Sequence, residues 1–167
     1  RYDIIMLGRR IESLLDEEAV TALKRYVKEQ GGIIIFTRGN AFSSKSGRWL
    51  QPVEWDEQGY DDVSLKATAE GERLALFKKV KELSDLQGDS TIVPKLDLSR
   101  KVALKKNFTR FLALTEDENA EGAQAVVYRR LGRGQVMSFG IEGLWHWRFH
   151  KNFDSKNDFY ANFRNQS

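Results

Sequence analysis

Two apolar segments flank an amphipathic stretch near the start of the chain: Tyr2-Asp3-Ile4-Ile5-Met6-Leu7-Gly8 and Gly32-Ile33-Ile34-Ile35-Phe36-Thr37. Both are short, nearly continuous runs of large apolar residues, which is typical of strands buried on both faces of a parallel sheet. Between them, Asp16 suits the N-terminal cap of a helix and Gly31 suits its C-terminal end. The sequence therefore predicts a strand–helix–strand unit, which is a building block of parallel sheets.

The second half of the chain predicts antiparallel pairing. Residues 108–115, 123–128 and 135–141 have the composition of strands, and the tight turn Leu131-Gly132-Arg133-Gly134 separates the last two. Two strands joined through such a glycine turn form an antiparallel hairpin. We expect this hairpin to lie near the C-terminus of the chain.

Two middle segments give weaker patterns. Residues 70–83 carry apolar side chains at helical spacing, whereas residues 40–66, with their serines, glycines and tryptophans, predict a long irregular loop. A length of 167 residues fits one domain. The expected architecture is a single α/β domain over residues 1–167, flavodoxin-like, with a mainly parallel sheet flanked by helices and a C-terminal antiparallel hairpin.

Composition excludes several classes of site. The chain has no cysteine, so it forms no disulfide or thiolate metal site and has no cysteine nucleophile. Its 2 histidines are too few for a typical zinc site, and Gly132-Arg133-Gly134 lacks the third glycine and the helix of a nucleotide-binding loop. The net charge is +3, from 27 basic and 24 acidic residues mixed along the chain, which does not favour nucleic acid. We expect no metal, no cofactor and no nucleic-acid partner.

The exits of the two predicted parallel strands are the first candidate site. Ligands of open α/β sheets bind beyond the carboxyl ends of the strands. Arg9 follows the first strand, and Thr37, Arg38 and Asn40 follow the second around Gly39. We interpret these four side chains as ligand- or partner-binding residues. The alternative is a solvated turn without a ligand.

The segment after the last predicted strand is the second candidate. Glutamate, tryptophan, histidine and arginine occur together here, and aromatic side chains with arginine are common in interfaces and ligand pockets. The alternative is that the aromatic rings pack against the domain itself. A histidine with a glutamate also suggests a base acting on water, although no nucleophile accompanies them. The residues are Glu142, Trp145, His146, Trp147 and Arg148.

A third segment, residues 95–110, is strongly basic. It has six basic side chains and one acidic side chain, Asp97. A solvated helix face or loop explains this pattern, and phosphate groups or an anionic membrane surface are the alternatives.

The order of these pieces resembles the class I glutamine amidotransferase-like superfamily, and most of all the branch found in large membrane-anchored bacterial proteins. The resemblance covers nearly the whole chain. The matching segments are Tyr2 to Gly8, Gly31 to Phe36, Trp49 to Trp55, Thr68 to Gly71 with Leu76-Phe77, Gly132 to Val136, Trp145 to Phe149, and Phe159 to Phe163.

The resemblance implies a fold without the family's activity. Active members use a cysteine where this chain has Thr37, and a threonine hydroxyl without an adjacent base is a poor nucleophile. We therefore expect no catalytic residue and a domain that binds a protein partner or a small ligand. The alternative is a hydrolase or transferase that uses Glu142 or His146. The resemblance further implies that the family's first strand, before Tyr2, is missing, and that the chain is a soluble part of a bacterial membrane-anchored protein, with the extracytoplasmic side favoured.

Overall fold

A computed structural model describes residues 3–74, 95–115 and 123–145 of the chain. Nine strands, three helices and one short 3₁₀ turn lie in these ranges. The strands are β1 (Ile4–Leu7), β2 (Ile33–Phe36), β3 (Val53–Val63), β4 (Leu65–Ala67), β5 (Leu96–Lys105), β6 (Arg110–Thr115), β7 (Gln124–Leu131), β8 (Gly134–Phe139) and β9 (Ile141–Glu142); the helices are α1 (Glu17–Lys28), α2 (Lys45–Arg48) and α3 (Ala69–Arg73); the 3₁₀ turn is Ile11–Leu14.

The predicted strand–helix–strand unit is confirmed. β1 and β2 pair in parallel, and α1 connects them. The Asp16 carboxylate accepts a 2.7 Å hydrogen bond from the amide of Ala19, which satisfies one of the free N–H groups at the start of α1. The apolar face of α1 buries Val20 and Val27 in the same cluster as Ile34. Amphipathic spacing and a good cap thus place this helix against the sheet.

The larger sheet of the described residues is mixed. Its order is β1-β2-β8-β7-β6-β4, in which β1, β2 and β8 are parallel to one another and the other neighbours are antiparallel. The predicted hairpin is confirmed as β7 and β8, whose register closes at Leu131 opposite Gly134. Among the described strands, parallel pairing is therefore limited to β1, β2 and β8, and their carboxyl ends meet at one edge of the sheet.

The prediction of an irregular loop over residues 40–66 was wrong. β3 spans eleven of these residues and pairs antiparallel with β5. β5 also pairs antiparallel with β9, so the three strands form a second sheet in the order β3-β5-β9. Residues 56–59 of β3 are exposed, so this strand lacks the continuous apolar run of a buried strand. The register shifts around Trp55 and Gly59 further hide its alternation.

The expected flavodoxin-like architecture was also wrong. Two sheets, one mixed and one antiparallel, make up most of the described residues, and α1 is the only helix there longer than five residues. Helices do not flank a mainly parallel sheet in this part of the chain. The predicted helix over residues 70–83 is observed only as α3, because residues 75–83 lie outside the described ranges. The tail segment over residues 158–164 lies outside them as well.

Trp55 joins the two sheets. It is buried, and its indole N–H donates a 2.8 Å hydrogen bond to the Ser138 hydroxyl on β8. Its ring also lies against Gly140, where a Cβ would come within 2.4 Å of a ring carbon. Since only glycine leaves room for this ring, Gly140 allows β3 to pack against the carboxyl end of β8.

Candidate functional site

The candidate site lies where the carboxyl ends of β1, β2 and β8 meet. The Thr37 amide donates to the carbonyl of Leu7, and the Gly39 amide donates to the carbonyl of Phe139, each at 2.9 Å. These bonds hold the exits of the three parallel strands side by side. The strand order therefore brings Arg9, Arg38 and Glu142 together, although Glu142 is more than 100 residues from either arginine along the chain.

Three guanidinium groups surround the carboxylate of Glu142. Its Oε2 lies 3.4 Å from Nη2 of Arg38, and its Oε1 lies 3.5 Å from Nη2 of Arg100 and 4.0 Å from Nη1 of Arg9. We call these four residues the arginine cluster. One carboxylate faces three positive charges, and guanidinium groups are well matched to carboxylate oxygens. The cluster therefore carries an excess of positive charge and of hydrogen-bond donors.

Arg100 is the buried member of the arginine cluster. Its side chain is 8% exposed, whereas that of Arg38 is 66% exposed. Nη1 of Arg100 donates to the carbonyls of Glu57 at 2.6 Å and Asp56 at 3.4 Å. Nε of Arg100 is buried without a hydrogen-bond partner. A buried charge is costly unless it is paired, so Glu142 and these carbonyls hold Arg100 in place.

The backbone at this edge is strained. Arg10 and Arg38 follow neighbouring strands and both have positive φ, 56° and 67°. Gly39 and Gly143 also have positive φ, 89° and 92°. Residues other than glycine are uncommon in this region of φ, and such conformations concentrate at functional sites. The strained residues thus lie in the two turns that carry Arg9 and Arg38, the arginines that contact Glu142.

A cavity of about 320 Å³ opens beside the arginine cluster. Arg9 and Arg100 belong to both, and Arg10 and Arg48 also line the cavity. Arg48 lies 3.4 Å from the carboxylate of Glu54. The remaining lining residues are Asn40, Ala41, Phe42, Ser43, Glu54, Trp55, Asp56, Glu57 and Ala103.

Glu12 orders one wall of this cavity. Its Oε2 accepts hydrogen bonds of 2.9 Å from the amides of Ser43 and Ser44, and its Oε1 accepts one from the Ser43 hydroxyl. These bonds, led by that from the Ser43 hydroxyl and that from the Ser44 amide, lower the pKa of Glu12 to about 2. A carboxylate on the 3₁₀ turn after β1 therefore fixes the loop after β2.

Two of the predicted site residues have structural hydrogen bonds. The side-chain NH2 group of Asn40 donates a hydrogen bond of 2.7 Å to the carbonyl of Trp55. The side-chain oxygen of Asn40 accepts a hydrogen bond of 2.9 Å from the backbone amide of Trp55. The Thr37 hydroxyl donates to the carbonyl of Leu7 at 3.4 Å. Asn40 therefore joins the exit of β2 to β3, and Thr37 has no acid or base partner among the described residues.

The segment after Glu142 is described only in part. The side chain of Trp145, the last described residue, is 57% exposed. His146, Trp147 and Arg148 lie outside the described residues, so their place relative to the cleft stays a prediction.

Sequence reasoning missed the roles of Arg10, Arg48 and Arg100. Arg100 appeared only as one charge within a basic stretch, yet Leu96, Leu98, Val102 and Leu104 alternate around it. Apolar residues at every second position predict a strand, and Arg100 falls on the same face as those apolar residues. An arginine on the apolar face of a strand is expected to be buried. Nothing comparable marks Arg10, which precedes the 3₁₀ turn, or Arg48, which ends the short helix α2.

Two searches of the described residues give negative results. Across residues 3–74, 95–115 and 123–145, no group of three or more histidine, aspartate or glutamate side chains is arranged to hold a metal ion. In the same ranges, no helix is long and apolar enough to cross a membrane.

Comparison with solved structures shows a shared fold. A β-galactosidase from Rahnella sp. R3 matches with a TM-score of 0.57 at 16% identity, over 99% of this chain and 22% of that one. A β-galactosidase from the haloarchaeon Halorubrum lacusprofundi matches with a TM-score of 0.56 at 13% identity, over 99% and 22%. A cytoplasmic protein from Salmonella typhimurium matches with a TM-score of 0.62 at 16% identity, over 97% and 70%.

These matches correct the expected family. No family model matches the sequence, and the search of curated proteins gives no match. The solved structures that share the fold include β-galactosidases, so the predicted membership of the class I glutamine amidotransferase-like superfamily was wrong. The chain spans about a fifth of the length of the β-galactosidases it matches. At these identities the likeness establishes the fold alone.

Proposed function

We propose that this domain binds a negatively charged group, carried by a small ligand or a partner protein, at the arginine cluster and does not itself catalyse a reaction. The observation that carries the proposal is the convergence of three guanidinium groups on the single carboxylate of Glu142. Each guanidinium has five N–H donors, and Glu142 engages few of them at distances of 3.4 Å or more. Donors remain for a second anionic group.

The surroundings of the cluster favour binding over chemistry. A general base needs a free oxygen directed at its substrate, and both oxygens of Glu142 face guanidinium groups. A nucleophilic hydroxyl needs an adjacent base, and that of Thr37 donates to a backbone carbonyl instead.

Chemical rescue of Glu142→Ala tests the proposal. Removing this carboxylate leaves the buried Arg100 without its charged partner, so the variant is expected to be less stable than the wild type. Acetate, which replaces the lost carboxylate, is expected to raise the unfolding midpoint of Glu142→Ala by about 3 °C at ten times its Kd. The wild type should gain less.

Two controls make the rescue specific. Glu142→Gln fills the space of the carboxylate, so acetate should not rescue it. Glu29→Ala removes an exposed carboxylate at the end of α1, away from the parallel strand exits. Equal effects of acetate on all three variants would mean that the cluster is not an anion site.

The second candidate is a hydrolase in which Glu142 or His146 acts as a base on water. Its support is the structural likeness to β-galactosidases, which favours this class of function over simple binding, together with Glu54, Asp56 and Glu57 around the cavity. Glycosidases act through pairs of carboxyl groups. Hydrolysis of a nitrophenyl β-galactoside by the purified chain, abolished by Glu142→Gln, supports this candidate. No turnover above that of Glu142→Gln excludes it for this substrate.

The earlier expectation of a bacterial membrane anchor depended on the resemblance to the amidotransferases. Because that resemblance was wrong, anchoring loses its support and is not part of the proposal.

A further inference from the structure

We infer that the cavity beside the arginine cluster takes a small hydroxylated carboxylic acid, with its carboxylate against Arg9 and Arg10. This inference rests on the proposed function, because it assigns the anion of that proposal to one side of the cluster. The cavity and the arginine cluster share Arg9 and Arg100 but differ in their other arginines. Arg10 and Arg48 line the cavity without contacting Glu142, whereas Arg38 contacts Glu142 and does not line the cavity.

The guanidinium groups of the cavity differ in how far they are already occupied. Arg48 is paired with Glu54, and Arg100 is bound by Glu142 and two carbonyls. Among residues 3–74, 95–115 and 123–145, the side chain of Arg9 has only its 4.0 Å contact with Glu142, and that of Arg10 has no partner. Two adjacent arginines after β1 therefore have most of their donors available.

The other lining side chains fit hydroxyl groups. Asp56 and Glu57 are exposed acidic residues of β3 on the cavity wall, and a carboxylate can accept hydrogen bonds from the hydroxyl groups of a ligand. They would repel a second negative charge, so a ligand with one carboxylate is favoured over one with several. Phe42 and Trp55 are buried in the protein core, so their rings contribute little surface to the cavity.

The size of the cavity sets a limit on the ligand. A volume of about 320 Å³ is at the lower end of the range of about 300–1,000 Å³ for small-molecule sites. This volume suits a single sugar acid or a molecule of similar size, and excludes a long polymer inside it.

Calorimetric titration of the whole chain with D-glucuronate and D-glucose tests the inference. The two sugars share a ring and its hydroxyl groups, and differ in the carboxylate. We expect glucuronate to bind at least about tenfold more tightly, because it adds charge-assisted hydrogen bonds. Raising the salt concentration should reduce this difference.

A matched pair of variants locates the carboxylate. Arg10→Asn and Arg133→Asn make the same chemical change at two exposed arginines, and Arg133 lies on the turn between β7 and β8, at the end of β8 opposite the cavity. Arg10→Asn is expected to weaken glucuronate binding about tenfold, and Arg133→Asn less than about threefold. Arg10→Lys keeps the positive charge, so it should retain most of the affinity for glucuronate. A loss of affinity in Arg10→Asn but not in Arg10→Lys then comes from the lost charge and not from a folding defect.

The outcomes separate the inference from the proposed function. Equal binding of the two sugars, no binding of glucuronate, or an equal loss in both asparagine variants would overturn the inference. The anion-binding proposal survives each of these results if acetate rescues Glu142→Ala. Absence of that rescue removes the proposal itself.

Discussion

At the exit of β2, Gly39 has a φ of +89° and lies against the side chain of Arg100. A Cβ at this position would come within 2.9 Å of Cδ and 3.1 Å of Nε of Arg100. Any other residue here therefore faces both an unfavourable backbone conformation and a clash with the buried member of the arginine cluster.

We expect Gly39→Ala to lower the free energy of unfolding by about 2–4 kcal/mol, since strain and overcrowding add. Urea denaturation measures the change. Gly8→Ala is the matched control at the exit of β1, because a Cβ there meets nothing within 4 Å. A similar loss in both variants would show that the close approach of Gly39 to Arg100 is unimportant.

Glu12 predicts a pH dependence of stability. Its pKa is lowered from 4.5 to about 2 in the folded protein, so its ionised form stabilises the fold. This contribution is complete above the unfolded pKa and is lost as the pH falls from about 4.5 toward 2. Glu12→Gln should therefore be less stable than the wild type at pH 7, and the difference should shrink below pH 4.5.

Unfolding curves for the wild type and Glu12→Gln between pH 2.5 and 7 measure this effect. Glu29→Gln, an exposed carboxylate at the end of α1, serves as the control and should follow the wild type. A constant difference between Glu12→Gln and the wild type over the whole range would contradict the role given to the Ser43 and Ser44 hydrogen bonds.

At the scale of elements, Asn40 joins the exit of β2 to the start of β3 through two hydrogen bonds to the backbone of Trp55. Asn40→Ala leaves a backbone donor and a backbone acceptor of a buried residue unpaired. We expect a loss of about 2 kcal/mol in unfolding free energy. Asn107→Ala, at an exposed turn position, should change stability little. Equal stability of the two variants would show that other contacts hold the second sheet.

The turn between β5 and β6 carries a strained aromatic residue. Phe108 has a φ of 64° and is 87% exposed, while the amide of Thr109 donates to the carbonyl of Lys106 across the turn. This is the turn position that glycine usually occupies. Phe108→Gly is expected to raise the free energy of unfolding by about 0.5–1 kcal/mol. Asn107→Gly, at negative φ, should not do so, and thermal unfolding compares the two.

Local patterns predicted the elements that depend on neighbours in sequence. The cap at Asp16, the apolar runs of β1 and β2, and the glycine turn between β7 and β8 all appear in the sequence and in the structure. β3 escaped prediction because its exposed charged residues and irregular register resemble a loop. Its stability comes from pairing with β5, about 40 residues later, which no local pattern shows.

At the scale of the whole molecule, the candidate site depends on long-range pairing. Arg9 and Arg38 were predicted at strand exits, and parallel pairing of β1, β2 and β8 places them beside Glu142. Arg100 reaches the same carboxylate because β5 pairs with β9. The sequence therefore indicated the edge of the sheet but not the second sheet that covers it. The wrong family assignment has the same origin, since it was based on the order of short segments.

The most direct test of anion binding at the arginine cluster is a titration of the ¹⁵N-labelled wild-type protein with acetate, followed by two-dimensional NMR. The account predicts that the largest amide shifts fall on Arg9, Arg10, Gly39 and Arg100, and that they saturate. Amide shifts that are absent, or that spread over the lysines of α1 and β5 without saturation, would contradict it.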